Sequence, residues 1–282
     1  MNINNRAREI LENIDLLSAY VPILAYHHVI KDNCINNISN ISVSQNQFDR
    51  QMRFLYEYGY KCLDLNEIFY NFPQESFREK KAFVLTFDDG FDDFYTIAYP
   101  VLRNYGFTAT VFLVTDLLGG CSKWEGEDGA RMLTWDQINN LSTNGISFGS
   151  HSCTHPSLLR ISDEQIRYEL SASKECIEKE LHKKISFFTY PFGESNQKIQ
   201  QMVNDAGYQG ALGVITGKPS RYNRWRSECG AQDTLQTFNF KLSWTYLFFQ
   251  KLRGWLREET MLGRVLRKIK YYNFSYPSAS IW

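Results

Sequence analysis

The chain has 282 residues, with 31 Lys and Arg against 31 Asp and Glu, and is 43% hydrophobic and 22% charged. That is the composition of one large or two small soluble domains, and it excludes a collagen, a disordered chain and a multi-span membrane protein. The neutral sum hides an asymmetry: residues 1–230 hold 23 Lys/Arg against 28 Asp/Glu, a net of −5, and residues 231–282 hold 8 against 3, a net of +5. In chain order, residues 1–18 read as a short amphipathic helix. Arg6, Arg8, Glu9, Glu12 and Asp15 break any apolar run there and no small-residue cleavage site follows, so neither a signal peptide nor a membrane span is expected. Residues 21–26 are an apolar run suited to a buried strand, ending at His27 and His28, and residues 33–40 are an Asn-rich loop. Residues 47–58 carry Phe48, Met52, Phe54 and Leu55 at helical spacing. Strands are expected over 81–87, 107–114, 146–150, 185–190 and 208–215. Helices are expected over 92–104, 134–143, 162–181 and 195–206, with Thr134 and Ser162 as N-caps. Strands alternating with helices predict a parallel α/β sheet or barrel. The six cysteines, Cys34, Cys62, Cys121, Cys153, Cys176 and Cys229, form no C-x-x-C pair and are expected to be reduced thiols of a cytoplasmic protein.

Four polar clusters fall at the C-terminal ends of predicted strands, where the active sites of β/α barrels assemble: His27/His28, Asp88/Asp89, His151 with His155, and Tyr190-Pro191-Phe192-Gly193. Two imidazoles four apart face one way on a helical turn and grip one metal, unless they are simply loop histidines. Adjacent carboxylates leaving a buried strand repel each other and desolvate poorly. A divalent cation compensates them, unless they only open a turn and cap the next helix. Gly90 allows the tight turn. One Asp with two His makes the facial donor set of a metal with open positions, and leaves the other carboxylate free to act as base. That chemistry is hydrolysis of an amide or ester by activated water.

At these residues the chain resembles the polysaccharide deacetylases of carbohydrate esterase family 4, the NodB-homology domain. Thr86-Phe87-Asp88-Asp89-Gly90 matches their T-F-D-D-G motif and His151 to His155 their H-[ST]-x-x-H motif. The resemblance covers roughly residues 20–230. It implies an irregular (β/α)7-type barrel, Asp88 as catalytic base, and Asp89, His151 and His155 as ligands of a divalent metal, Zn2+ before Co2+, Ni2+ or Mn2+. Their R-x-P-[FY] motif stands here as Thr189-Tyr190-Pro191-Phe192, without the arginine that steadies the catalytic aspartate; Arg226 is the candidate substitute. Tyr190, Pro191 and Phe192 are expected to shape the substrate groove, with the Phe192 N–H as an oxyanion donor. The usual late histidine motif is missing too. These departures resemble the poly-β-1,6-N-acetylglucosamine deacetylase subgroup, which implies a circularly permuted barrel and, through Tyr26-His27-His28, His27 as the acid that protonates the leaving amine. Trp124 and Trp135 lie in or beside the long loop after the third strand, to stack on sugar or to anchor the loop. His182 is expected on the surface at a helix end.

The expected division is a catalytic domain over 1–230 and a basic aromatic helical extension over 231–282. Leu242, Phe248, Leu252, Trp255, Leu256, Leu262, Val265, Leu266 and Ile269 recur at helical spacing among Lys251, Arg253, Arg257, Arg264, Arg267, Lys268 and Lys270. Such a segment, over 241–272, lies on an anionic membrane or packs on the barrel or a second subunit. The expected activity is metal-dependent removal of N-acetyl groups from a polymeric, lipid-linked or nucleotide-linked sugar. The enzyme would be cytoplasmic and peripheral to the inner face of the membrane, and nucleic acid is not expected as a partner. The alternatives are a non-catalytic carbohydrate-binding relative, or a metal hydrolase releasing formyl or another acyl group.

Overall fold

The computed structural model describes residues 21–32, 40–70, 81–122, 124, 129–215 and 218–250. The helix expected over 1–18, most of the Asn-rich loop and the tail beyond 250 lie outside the described residues. The strands are β1 Ile23–Tyr26, β2 His28–Ile30, β3 Ser42–Ser44, β4 Lys61–Cys62, β5 Ala82–Phe87, β6 Thr110–Leu113, β7 Ser147–Ser150, β8 Phe187–Thr189, β9 Gly210–Gly213, β10 Arg224–Trp225 and β11 Ser227–Glu228. The α-helices are α1 Gln45–Glu57, α2 Leu65–Tyr70, α3 Tyr99–Tyr105, α4 Trp135–Thr143, α5 Asp163–Leu181, α6 Gln197–Asp205 and α7 Leu235–Lys241. The main sheet runs β10-β9-β8-β7-β6-β5-β1-β11, with β4 on β5 and a separate β2–β3 pair; every ladder is parallel.

The two ends of that order are one extended segment. β10 pairs with β9 and β11 with β1, and only Arg226 separates them. The chain therefore crosses from the last strand of the sheet to the first and nearly closes it into an irregular seven-position (β/α) barrel, as the resemblance implied. Period-two alternation then divides the strand residues between two cores. Ile23, Val84, Phe112, Phe187 and Leu212 pack with Phe69 of α2 inside the ring. Leu24, Tyr26, Leu85, Phe87, Val111 and Phe188 face outward onto Phe48 and Met52 of α1, Leu102 of α3, Ile138 of α4, Leu170 of α5 and Val203 of α6. The bottom of the ring is filled by Phe69: a Cβ on Gly210 would come within 2.0 Å of its ring.

Thr134 and Ser162 both close capping boxes, with Gln137 and Gln165 returning the bond, each cap contributing about 1 kcal/mol. The helix expected over 92–104 is two elements. A π-turn, Phe94–Ala98, precedes α3, and the Tyr99 N–H bonds back to Phe94 O. Pro100 is the cause, since it lacks an N–H and its ring crowds the carbonyl four residues back. Residues 231–250, assigned by sequence to the extension, continue the packed unit as far as they are described: Phe238 and Leu242 join the outer core. Among the described residues no helix is long and apolar enough to cross a membrane.

Candidate active site

The alternation that builds the inner core also builds the site. Continuing the inward parity past the strand tops gives His27 after β1, Asp88 after β5, His151 after β7 and Thr189 at the end of β8. Arg226 enters from the seam. His28 has the opposite parity and turns away: its Nδ1 lies 2.6 Å from Asp93 Oδ2 and its ring stacks on Phe91 at 3.7 Å. Asp89 escapes the alternation because it adopts φ 71°. Gly90 follows at φ 80°, where a Cβ would also press within 2.9 Å of Leu113.

Asp89 Oδ1 lies 3.2 Å from His151 Nε2 and 3.4 Å from His155 Nε2. One donor atom from each of these residues fits within 4.8 Å of the others. The histidines are not on a helical turn, as their spacing suggested. Residues 151–155 form an irregular loop with Ser152 at φ 72° and His155 at φ 61°. Burial and the neighbouring imidazole push His155 down to about 4, so it is neutral at ordinary pH. Burial opposes charge on His151 as well, but the Asp89 carboxylate outweighs it and raises that group.

Asp88 stands apart from this trio. Arg226 forks onto it, Nη1 to Oδ1 at 2.7 Å and Nη2 to Oδ2 at 2.6 Å, and also reaches Thr86. Burial alone would raise the Asp88 carboxyl; the guanidinium overrides that and holds it well below the ordinary carboxylate range. His27 Nε2 is 3.9 Å from Asp88 Oδ2.

A polysaccharide deacetylase family model matches residues 76–211. The chain is 30% identical over 203 residues to "Putative polysaccharide deacetylase YxkH" of Bacillus subtilis, covering 72% of this chain and 67% of that protein. It is 29% identical over 208 residues to the poly-beta-1,6-N-acetyl-D-glucosamine N-deacetylase of Staphylococcus aureus, covering 65% and 68%. The Streptococcus pyogenes deacetylase PplD, solved in complex with acetate, superposes with a TM-score of 0.67 at 26% identity, over 79% of this chain and 98% of that one.

This chain belongs to the polysaccharide deacetylase family. Within this deacetylase, the threonine that replaces the arginine of the third motif has a use of its own. Thr189 holds His151 Nδ1 through both its carbonyl, at 2.9 Å, and its hydroxyl, at 2.6 Å, which turns Nε2 toward Asp89. Glu169 of α5 supports the other side of the loop. It accepts from Cys153 N at 2.7 Å, Thr154 N at 3.0 Å and the Thr154 hydroxyl at 2.7 Å. Ser173, one turn further, joins through Ser150 Oγ, which accepts from Ser152 N. Glu169 belongs to none of the motifs, yet its signal in the sequence is plain: a carboxylate on the apolar stripe of Ile166, Leu170 and Ile177.

Tyr190 and Pro191 are buried, not on a groove wall; the Tyr190 hydroxyl donates to Tyr222 O inside the core. Phe192 is 59% exposed and packs at 4.7 Å from His155. Trp124 lies flat on the His155 ring at 4.1 Å, so one face is already taken. Trp135 opens α4 and packs on the outer core. Arg226 is buried behind Asp88 instead of facing a substrate groove. His182 is exposed and ends α5 in the left-handed region.

Proposed function

We propose that the protein hydrolyses the N-acetyl group of an N-acetylated sugar, with Asp89, His151 and His155 holding a divalent ion, Zn2+ first. One observation carries this reading. Two adjacent buried carboxylates have been given opposite tasks: Asp88 is locked by Arg226, while Asp89 Oδ1 lies between two imidazoles with no hydrogen-bond partner among the described residues. An orphaned buried carboxylate oxygen beside a neutral His155 is a donor set that fits such an ion. A bound divalent ion would acidify water and polarise the acetyl carbonyl.

The protein's own residues supply the rest. Asp88, ionised because of Arg226, accepts the proton of the attacking water. The fork leaves it a fixed direction. His27, on the same inner face, donates a proton to the leaving nitrogen, without which an amine departs poorly. The Phe192 N–H stabilises the developing oxyanion, and the exposed Phe192 ring borders the sugar. The basic tail holds the enzyme on an anionic membrane at the cytoplasmic side, a reading supported by the seven Lys and Arg between 251 and 270.

The test is acetate release from N-acetylglucosamine oligomers by metal-loaded protein. Activity should vanish with chelator, return with Zn2+, and fall roughly a thousandfold in Asp88→Asn. Release that survives this substitution refutes the mechanism. For the tail, the full chain should float with anionic liposomes and a chain ending at 250 should not.

A further inference from the structure

A second polar site lies on the same face of the barrel. A cleft of about 790 Å³ lies between the first turns of α1 and the segment leading into α7, which Gln47 Nε2 joins by donating to Gly230 O at 3.2 Å and Asp233 O at 2.6 Å; its volume is within the range of roughly 300–1,000 Å³ of small-ligand sites. Both walls follow strand ends, β3 and β11, so the cleft opens on the side where the catalytic residues emerge. Ile30 is three residues beyond His27 and pairs with Ser44, which lines the cleft. At about 3.3 Å per residue and a further ~5 Å between strands, the near wall lies no more than about 15 Å from His27. A short oligosaccharide spans that distance and a monosaccharide does not.

The chemistry of the walls names the ligand. Gln51 lines the cleft and is 1% exposed; its Oε1 accepts from Tyr26, but its Nε2 finds no acceptor among the described residues. An amide donor held out of water without a partner is costly unless something occupies the space before it. Around it, the side chains of Asn46, Arg50, Gln232 and Gln236 make no hydrogen bond among the described residues. The charges nearly cancel. Asp233 is tied to Lys241 at 2.6 Å, Asp32 accepts from Asn46 N at 3.2 Å, and Arg50 adds one positive charge to the wall. A diphosphate would need an excess of cations, and a lipid chain would need an apolar wall. A near-neutral wall of amides and hydroxyls fits adjacent sugar hydroxyls.

We propose that this cleft binds a glycosyl unit of the substrate chain remote from the unit being deacetylated. The proposal rests on the deacetylase reading and makes the preferred substrate an oligosaccharide rather than a nucleotide-linked monosaccharide.

The test uses the full-length, metal-loaded protein with β-1,4- and β-1,6-linked N-acetylglucosamine dimer and hexamer. The double variant Gln232→Ala/Gln236→Ala changes only exposed side chains and should fold normally. Its KM for hexamer should rise roughly tenfold with kcat unchanged, while its KM for dimer stays put. Equal effects on both lengths, or none on the hexamer, overturn the cleft. No acetate release by the wild type from either length would defeat the deacetylase reading instead. Calorimetric titration of hexamer into Asp88→Asn protein then decides the cleft separately. Binding weakened by the double variant supports it; absent or unchanged binding overturns it.

Discussion

Asp88 is a buried carboxylate whose charge depends on one neighbour contributed from 138 residues away in sequence. Arg226→Met removes both bonds of the fork and leaves that carboxylate unpaired, which should cost about 3–5 kcal/mol of stability and lower acetate release roughly a hundredfold or more. Arg226→Lys restores a charge but not the planar fork, so it should recover the melting temperature better than the rate. Thermal denaturation beside acetate release separates the two. The neighbouring histidines make a second contrast. His27→Gln should lower kcat at least roughly a hundredfold with little change in melting temperature. His28→Gln breaks the short contact to Asp93 and the stack on Phe91, so it should destabilise the fold and spare the rate of the protein that remains folded.

At the level of elements, the loop 151–155 has an irregular backbone and is shaped from outside by α5. Replacing Glu169 by Ala removes the acceptor of three bonds. It should weaken metal affinity by about 10–100-fold, the usual effect of losing an outer partner of a ligand, as measured by competition with a chromogenic chelator. Thr189→Val should do less, because the Thr189 carbonyl still holds His151. The elements also show what a sequence displays and what it conceals. β1, β5 and β7 were legible because their apolar runs end abruptly in Asp or His, and α4 and α5 because their caps are written in the sequence. β10 and β11 were not: two-residue strands carry no period, and their meaning lies in closing the barrel, a long-range event. The same limit explains Arg226. Its spacing from Asp88 says nothing until the seam brings them together. The H-x-x-x-H spacing suggested a helical turn because four residues fit one, yet Ser152 and His155 adopt left-handed conformations that no periodicity reveals. Tyr190 read as a groove residue from its motif, but outward parity from β8 sends it to the core beside Phe188.

Over the whole molecule, the charge division at 230 and the packing division do not coincide. The −5 and +5 halves meet just before α7, yet α7 is built into the barrel. Phe238 is fully buried against Phe54 of α1, Leu242 and Leu247 are buried, and Lys241 ties Asp233 to Glu228 O of β11. Three such apolar side chains contribute roughly 5–9 kcal/mol of burial, which is most of the 5–15 kcal/mol or so by which a typical domain is stable. A chain ending at 230 should therefore fail to give a cooperative thermal transition, because it uncovers α1 and the outer side of β11. Phe238→Ala in the full chain should cost about 3–5 kcal/mol. A chain ending at 250 keeps all three side chains and should melt cooperatively near the full-length temperature, which makes it the proper control for liposome flotation. Circular dichroism melts of the three chains decide the matter: a 230-residue chain that melts like the full one would mean that the basic segment is an appendage from Ala231 onward, and that α7 contributes nothing to holding β11, and with it Arg226, in place.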